Sequence, residues 1–293
     1  PQDRLAYMIE DSGIKLLLTQ AHLELPVTAS VERVILPTLE TPKPIWGATG
    51  RDLDGVIWIG MTHGPDRMGA HLMGYDPRAR AWRTAGSVGD QLRRLGISRD
   101  GETQRKIHSK IVLADDGWLY FASTDEEGEK DDGSALPKWG AHLWRMKPGN
   151  ERWEHLMGVP EGIVAVSAAA RHVYALGYWG HVLFQYDTES GNVRRVVVGS
   201  VGGHVSRNFV ASVHGHAYVP RVTRLPDGRV KTLLVEFDAE LREIGSTELE
   251  HYLPATGNPD DHHGITGFCT LPDGRMAFTS SRGQLYLITP NRA

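Results

Sequence analysis

Three histidines carry the most reactive chemistry in this sequence. His108, His204 and His263 each stand at or near the start of a short β-rich run, in IHSKIVL, HVSRNFV and HGITGFC. Aligned on Ile111, Phe209 and Phe268, the runs put His204 and His263 at one level, with His108 two residues further in. A shift of two keeps a side chain on the same side of a strand, so all three could line one channel. Imidazoles converging from separate strands can hold one divalent metal (Mn, Mg, Ca or Zn) or act as acid and base. They can equally be hydrogen-bonded residues that tie neighbouring elements together, and the sequence leaves both readings open. Arg207 joins His108, His204 and His263 in the candidate catalytic set, because a guanidinium there could neutralise a substrate carboxylate.

A second group would bind a ligand. Tyr178 and Trp179 sit in the tight loop GYWG, where two exposed aromatics are expected to stack on a ring-shaped ligand. Arg221, Arg282 and His63 fall in loops predicted to share their face. Other charged or recurrent positions read as structure. The acidic run 125 to 132 lacks the alternating ligand spacing of a calcium loop and reads as solvated. His71, His142 and His181 recur at one position after Gly-Ala or Gly, where an imidazole can satisfy a backbone group of an adjacent loop.

The elements that must position these residues come from a repeat. GAHLMGYDP at 69 to 77 returns as GAHLWRMKP, GHVLFQYD, KTLLVEFD and GQLYLITP, each an apolar run that closes on turn residues. A second β-rich run precedes every copy, as in GVIWIGMT and GWLYFAST. Several strands per repeat of roughly 40 to 60 residues predict an all-β fold, a β-propeller of four-stranded blades. Five blades are visible, from Ile45 to about Val88, about Lys106 to Val159, Glu161 to Gly199, His204 to about Glu248, and His262 onwards; six or seven remain open alternatives. The last repeat offers three strands, and residues 31 to 36 are the candidate for a ring-closing fourth. The Asp of each Tyr-Asp or Phe-Asp pair is expected to cap a turn. Segment 89 to 105 and loop 125 to 138 are the long insertions.

Bulk composition narrows the function classes. The chain has 293 residues, 40% of them hydrophobic, enough for one large core. A formal net charge of −4 gives no nucleic-acid footprint, and no apolar run approaches the roughly 18 to 20 residues of a membrane span. The single cysteine, Cys269, excludes an internal disulfide framework and leaves the compartment open. A start at Pro1 without Met reads as a fragment or a processed product.

Two resemblances add to this reading. Residues 1 to 28, PQDRLAYMIEDSGIKLLLTQAHLELPVT, read as helix, turn and strand, a short α/β appendage outside the repeat. Their wording resembles the start of a nonribosomal peptide synthetase adenylation domain. No Ser/Thr/Gly-rich phosphate loop follows, so the likeness implies a fragment or fusion origin without adenylation chemistry. Residues 29 to 293 form the expected propeller. Within it IHSKIVLADDGWLYFAST and GGHVSRNF resemble the propellers that include virginiamycin B lyase, SMP-30-type lactonases and oligogalacturonate lyases. Virginiamycin B lyase-like enzymes use a Glu-x-Lys pair, which this sequence lacks. The oligogalacturonate lyase likeness implies a metal held by His108, His204 and His263, with Arg207 or Arg221 on a substrate carboxylate. The expected function is a metal-assisted lyase or hydrolase on a small or sugar-like anionic substrate. The competing reading is a non-catalytic propeller that binds a ligand or protein on the same face.

Overall fold

The computed structural model describes residues 32–37, 47–62, 69–130, 133–201, 206, 208–253 and 264–290. The chain divides into two compact units, residues 1–38 and 39–293. In the first, residues 32–37 carry no regular secondary structure. The described part of the candidate closing strand is therefore irregular backbone; residue 31 and the expected appendage at 1 to 28 lie outside the described residues.

The second unit is a β-propeller: strands that meander in antiparallel order from the innermost to the outermost, blade after blade. Blade one contains β1 (Thr49–Arg51), β2 (Ile57–Met61), β3 (His71–Asp76) and β4 (Ala81–Ser87). Helix α1 (Val88–Arg94) follows, with Ser87 as its N-cap and Arg93 and Arg94 in its last turn. Blade two contains β5 (Lys106–Ile107) and β6 (Val112–Leu113), then β7 (Leu119–Thr124), β8 (Ala141–Lys147) and β9 (Arg152–Val159). Blade three contains β10 (Gly162–Ala169), β11 (His172–Tyr178), β12 (Val182–Asp187) and β13 (Val193–Val197). Blade four contains β14 (Val210–Ala211), β15 (Ala217–Arg224), β16 (Val230–Phe237) and β17 (Glu243–Glu248). Blade five has three strands among the described residues, β18 (Ile265–Thr270), β19 (Met276–Ser280) and β20 (Leu285–Ile288).

Alternation in the sequence explains why the core lies between blades. Each strand sends successive side chains to opposite faces of its sheet, and each face packs on the neighbouring blade. Trp58 of blade one meets Phe121, Trp144 and Trp153 of blade two in one cluster. Tyr120 and Leu143 of blade two meet Val173 and Phe184 of blade three in the next, and Tyr174 and Leu183 meet Phe209 and Val219 beyond that. Val210 and Tyr218 of blade four meet Ile265 and Phe278 of blade five. Indole donors reinforce the junctions: Trp153 Nε1 donates to Ala85 O at 2.8 Å.

Turn chemistry follows the expected pattern. Asp76, Asp187 and Asp238 each accept two backbone N–H bonds at 2.8 to 3.1 Å from the turn that follows. The two LPDGR turns repeat one geometry, with Gly228 and Gly274 at φ of 82° and 85°. Only glycine adopts that region without strain.

Candidate functional site

The innermost strand of blade two is the irregular one. Lys106 and Ile107 pair with Thr124 and Ser123, whereas Val112 and Leu113 pair with Tyr120 and Leu119. Residues 108 to 111 thus stand opposite Phe121 and Ala122 alone, a bulge with two extra residues. Bulges of this kind re-aim side chains and concentrate beside functional sites. Ser109 closes the gap in the ladder, since Ala122 N–H donates to its Oγ at 2.8 Å and that hydroxyl donates to Lys110 O at 2.9 Å. Ile107, Ser109 and Ile111 are buried, while Lys106 and His108 are half-buried and Lys110 is exposed. The three basic groups therefore form a column on the axial side.

Glu126 and Glu129, from the loop between β7 and β8, close over that column. Lys106 Nζ donates to Glu126, and His108 Nδ1 lies 3.8 Å from the same carboxylate. Glu129 accepts from Tyr178 OH at 3.0 Å and from Trp179 Nε1 at 3.2 Å, which joins blade two to blade three. The acidic run is thus built into the site, where solvation alone was expected. Burial, with a further push from the charge of Glu126, raises the Glu129 pKa despite those two bonds.

Glu161, just before β10, is the second unusual carboxyl. It is buried, takes one hydrogen bond from Gly180 N–H at 3.0 Å, and burial raises its pKa. Two glycines make room for it: a Cβ on Gly177 would lie 2.7 Å from Glu161 Cβ, and one on Gly180 would overlap its carboxylate. A third, Gly162, lets the Tyr178 ring lie across the innermost strand, where a Cβ would stand 2.6 Å from the hydroxyl. Trp179, at φ 70°, occupies backbone that bulky residues avoid. Burial thus shifts both carboxyls upward, the direction that favours a proton donor.

The candidate residues named from sequence are distributed as follows. His108, Tyr178 and Trp179 come together at this mouth through Glu126 and Glu129. Tyr178 is buried, contrary to the expected pair of exposed aromatics, because its hydroxyl is drawn onto Glu129; Trp179 is half-buried. Arg221 is committed elsewhere, with a bidentate pair to Glu243 at 2.9 and 2.7 Å and a bond to Val198 O. Arg282 borders a hollow of about 300 Å³ with Lys231, Glu248 and His251. His63, His204, Arg207 and His263 lie outside the described residues. Their described neighbours Asn208 and Ile265 are bonded, Asn208 Nδ2 to Ile265 O at 3.1 Å, so the innermost strands of blades four and five start side by side. Among the described residues no group of three His, Cys, Asp or Glu is placed to hold a metal ion, and no helix is long and apolar enough to cross a membrane.

Comparison with known proteins bears on the fold more than on the site. No protein-family model matches the chain, and no curated protein matches its sequence. Among solved structures the chain is similar to a calcium-binding protein, regucalcin, from Agrobacterium tumefaciens, at 14% identity and a TM-score of 0.41. That match covers 82% of this chain and 70% of the other. A putative 6-phosphogluconolactonase from Bacteroides uniformis gives 12% identity and a TM-score of 0.44, over 82% of this chain and 68% of that one. KlAtg21, in complex with the coiled-coil of AgAtg16, gives 14% and 0.43, over 83% and 65%. Likeness of this size carries no argument about activity, and the propeller assignment rests on the strand topology. The adenylation-domain resemblance of residues 1 to 28 finds no support in these comparisons.

Three residues of the candidate site escaped the sequence reading: Glu129, Glu161 and Lys110. Glu161 lies directly before an innermost strand, and Lys110 belongs to the alternating stretch Lys106 to Ile111. That alternation was the available signal for Lys110. No local pattern links Glu129 to Tyr178, 49 positions away.

Proposed function

We propose that this propeller is a metal-assisted lyase or hydrolase that acts on a small, sugar-like anionic substrate at the axial mouth of blades two and three. The observation that carries the reading is the convergence of Lys106 and His108, on the bulged strand, with Glu126 and Glu129 of the loop after β7 and with Tyr178 and Trp179 of blade three. Glu129 and Glu161, whose pKa values burial raises, are the candidate groups for moving a proton. Trp179 presents an aromatic edge to a sugar ring.

His108 and Glu126 place an imidazole and a carboxylate close enough for one ion, the donor chemistry of a divalent site. His204 and His263 would complete it. Such an ion polarises a substrate oxygen. Elemental analysis of the wild type, His204→Ala and His155→Ala, at about pH 7.5 and about pH 5.5, tests the reading. The wild type and His155→Ala should retain one divalent ion at the higher pH and lose it at the lower, while His204→Ala should lack it throughout. A wild type that holds no ion at either pH, yet binds a sugar acid without turning it over, is a binding propeller and overturns the enzyme reading.

A further inference from the structure

The bulge carries an ammonium, that of Lys110, which lacks a counter-charge among the described residues. Lys106, Lys138 and Lys231 each pair with a carboxylate, namely Glu126, Glu127 and Glu248. Lys110 has no carboxylate partner among the described residues. Its Nζ lies 4.6 Å from the centroid of the Phe268 ring, a contact between the innermost strands of blades two and five. Those blades are not consecutive, so the contact spans the axial space.

Its position is over-determined. Ser109 clamps the bulge from within through Ala122 N–H and Lys110 O. Gly50 of blade one leaves room for the Ile111 carbonyl, which any Cβ there would overlap. Ile111 N–H in turn donates to Thr49 O at 3.4 Å. A folded chain that fixes an ammonium against an aromatic face, without a counter-charge, leaves its donors for an anion from outside. Arg221, by contrast, already spends its guanidinium on Glu243.

We propose that Lys110 is the anion anchor of the axial mouth, and that the ligand is a small polyhydroxylated compound bearing a carboxylate or phosphate group. This rests on the axial site described above and names its substrate class. Phe268 confines the ammonium, His108 stands two positions along the same bulge, and the half-buried Trp179 of blade three is the aromatic surface for the ring of the ligand.

The probes are D-glucuronate, D-glucose 6-phosphate, D-glucose and inorganic phosphate, titrated calorimetrically into the wild type, Lys110→Met, Lys110→Arg and Lys231→Met. Glucuronate or glucose 6-phosphate should bind the wild type and Lys231→Met alike, glucose should bind neither, and Lys110→Met should weaken the interaction by about tenfold or more. Lys110→Arg, which keeps the charge, should recover much of it. Phosphate matching glucose 6-phosphate would mark the anion alone as the recognised group and still support the anchor. If Lys110→Met does not fold, Lys110→Gln takes its place. Equal binding of glucose and glucuronate, or a Lys110→Met affinity equal to that of the wild type, overturns the proposal; so does the absence of binding by every anionic probe. The metal content of the wild type is a separate readout. An ion-bearing protein without Lys110-dependent binding fails this inference alone, and Lys110-dependent binding without an ion fails only the enzyme reading.

Discussion

His142 Nε2 lies 2.9 Å from Glu102 Oε1, a contact between residues 40 positions apart that pins the segment after helix α1 onto blade two. Glu102 also accepts from Arg99 and from Gln104 Nε2, and its side chain is fully buried. On the other side of the ring, His142 Nδ1 lies 2.8 Å from His155 Nε2. With a carboxylate accepting at Nε2, His142 carries its proton there, and Nδ1 accepts from His155. The long insertion 89 to 105 is therefore tied to blade two, and His142 meets two side chains where a backbone partner was expected. His181 in blade three does satisfy a backbone group, its Nδ1 accepting from Ser200 N–H at 3.3 Å.

This chain makes stability fall as pH falls. Burial and the neighbouring His142 push the His155 pKa down to about 4 from its ordinary 6.5. Unfolded His155 takes up a proton across that window while the folded form does not, so stability is lost between about 6.5 and about 4. For Glu102, burial pushes upward, but the bonds from His142 and Arg99 prevail and hold it at about 2 against 4.5. A second loss follows from about 4.5 to about 2. Melting curves at stepped pH should show the midpoint descending through the first window, with His155→Phe descending less there than the wild type. A wild-type midpoint constant from pH 7 to pH 4 contradicts the assignment.

Glu102→Gln tests the same network at constant pH. The amide preserves shape but removes the charge that Arg99 and His142 are arranged around, at a cost of about 3 kcal/mol. Urea titration at neutral pH measures it. A change below about 0.5 kcal/mol, typical of surface sites, would show that the network contributes little.

Gly50→Ala should damage the junction of blades one and two. The new methyl would enter the space of the Ile111 carbonyl oxygen, which is backbone and cannot rotate away. Overpacking of this kind costs about 1 to 3 kcal/mol. Gly245→Ala is the control, with nothing within 4 Å of the new Cβ. Equal denaturation midpoints for the two variants would refute the close approach.

Glu129→Ala should loosen the mouth, since the Tyr178 hydroxyl and the Trp179 indole N–H would both lose their acceptor. Leaving buried donors unsatisfied costs about 1 to 3 kcal/mol. Glu129→Gln keeps an acceptor oxygen and removes a desolvated charge, so its stability should match or slightly exceed that of the wild type. Tryptophan emission together with chemical denaturation distinguishes the pair. An Ala variant as stable as the Gln variant would mean that the two bonds hold nothing in place.

The propeller was legible in the sequence because its signals are local. A run such as HVYALGY alternates over a few residues, and the Asp after Tyr186 or Phe237 caps a turn within four positions. The alternation from Lys106 to Ile111 is equally local, but the two extra residues in the ladder were invisible until β7 lay beside them. What the tertiary structure alone decided are the long-range pairings: Glu129 with Tyr178, Glu102 with His142, Lys110 with Phe268, and Arg221 with Glu243. Spacing reports which face a side chain takes; it carries no information about which carboxylate from another blade or loop will meet it. Arg221 and Lys110 show the consequence. Arg221, expected in a loop, stands on β15 and pairs with Glu243 of the outer strand, while Lys110 lies against the Phe268 ring with no carboxylate partner among the described residues.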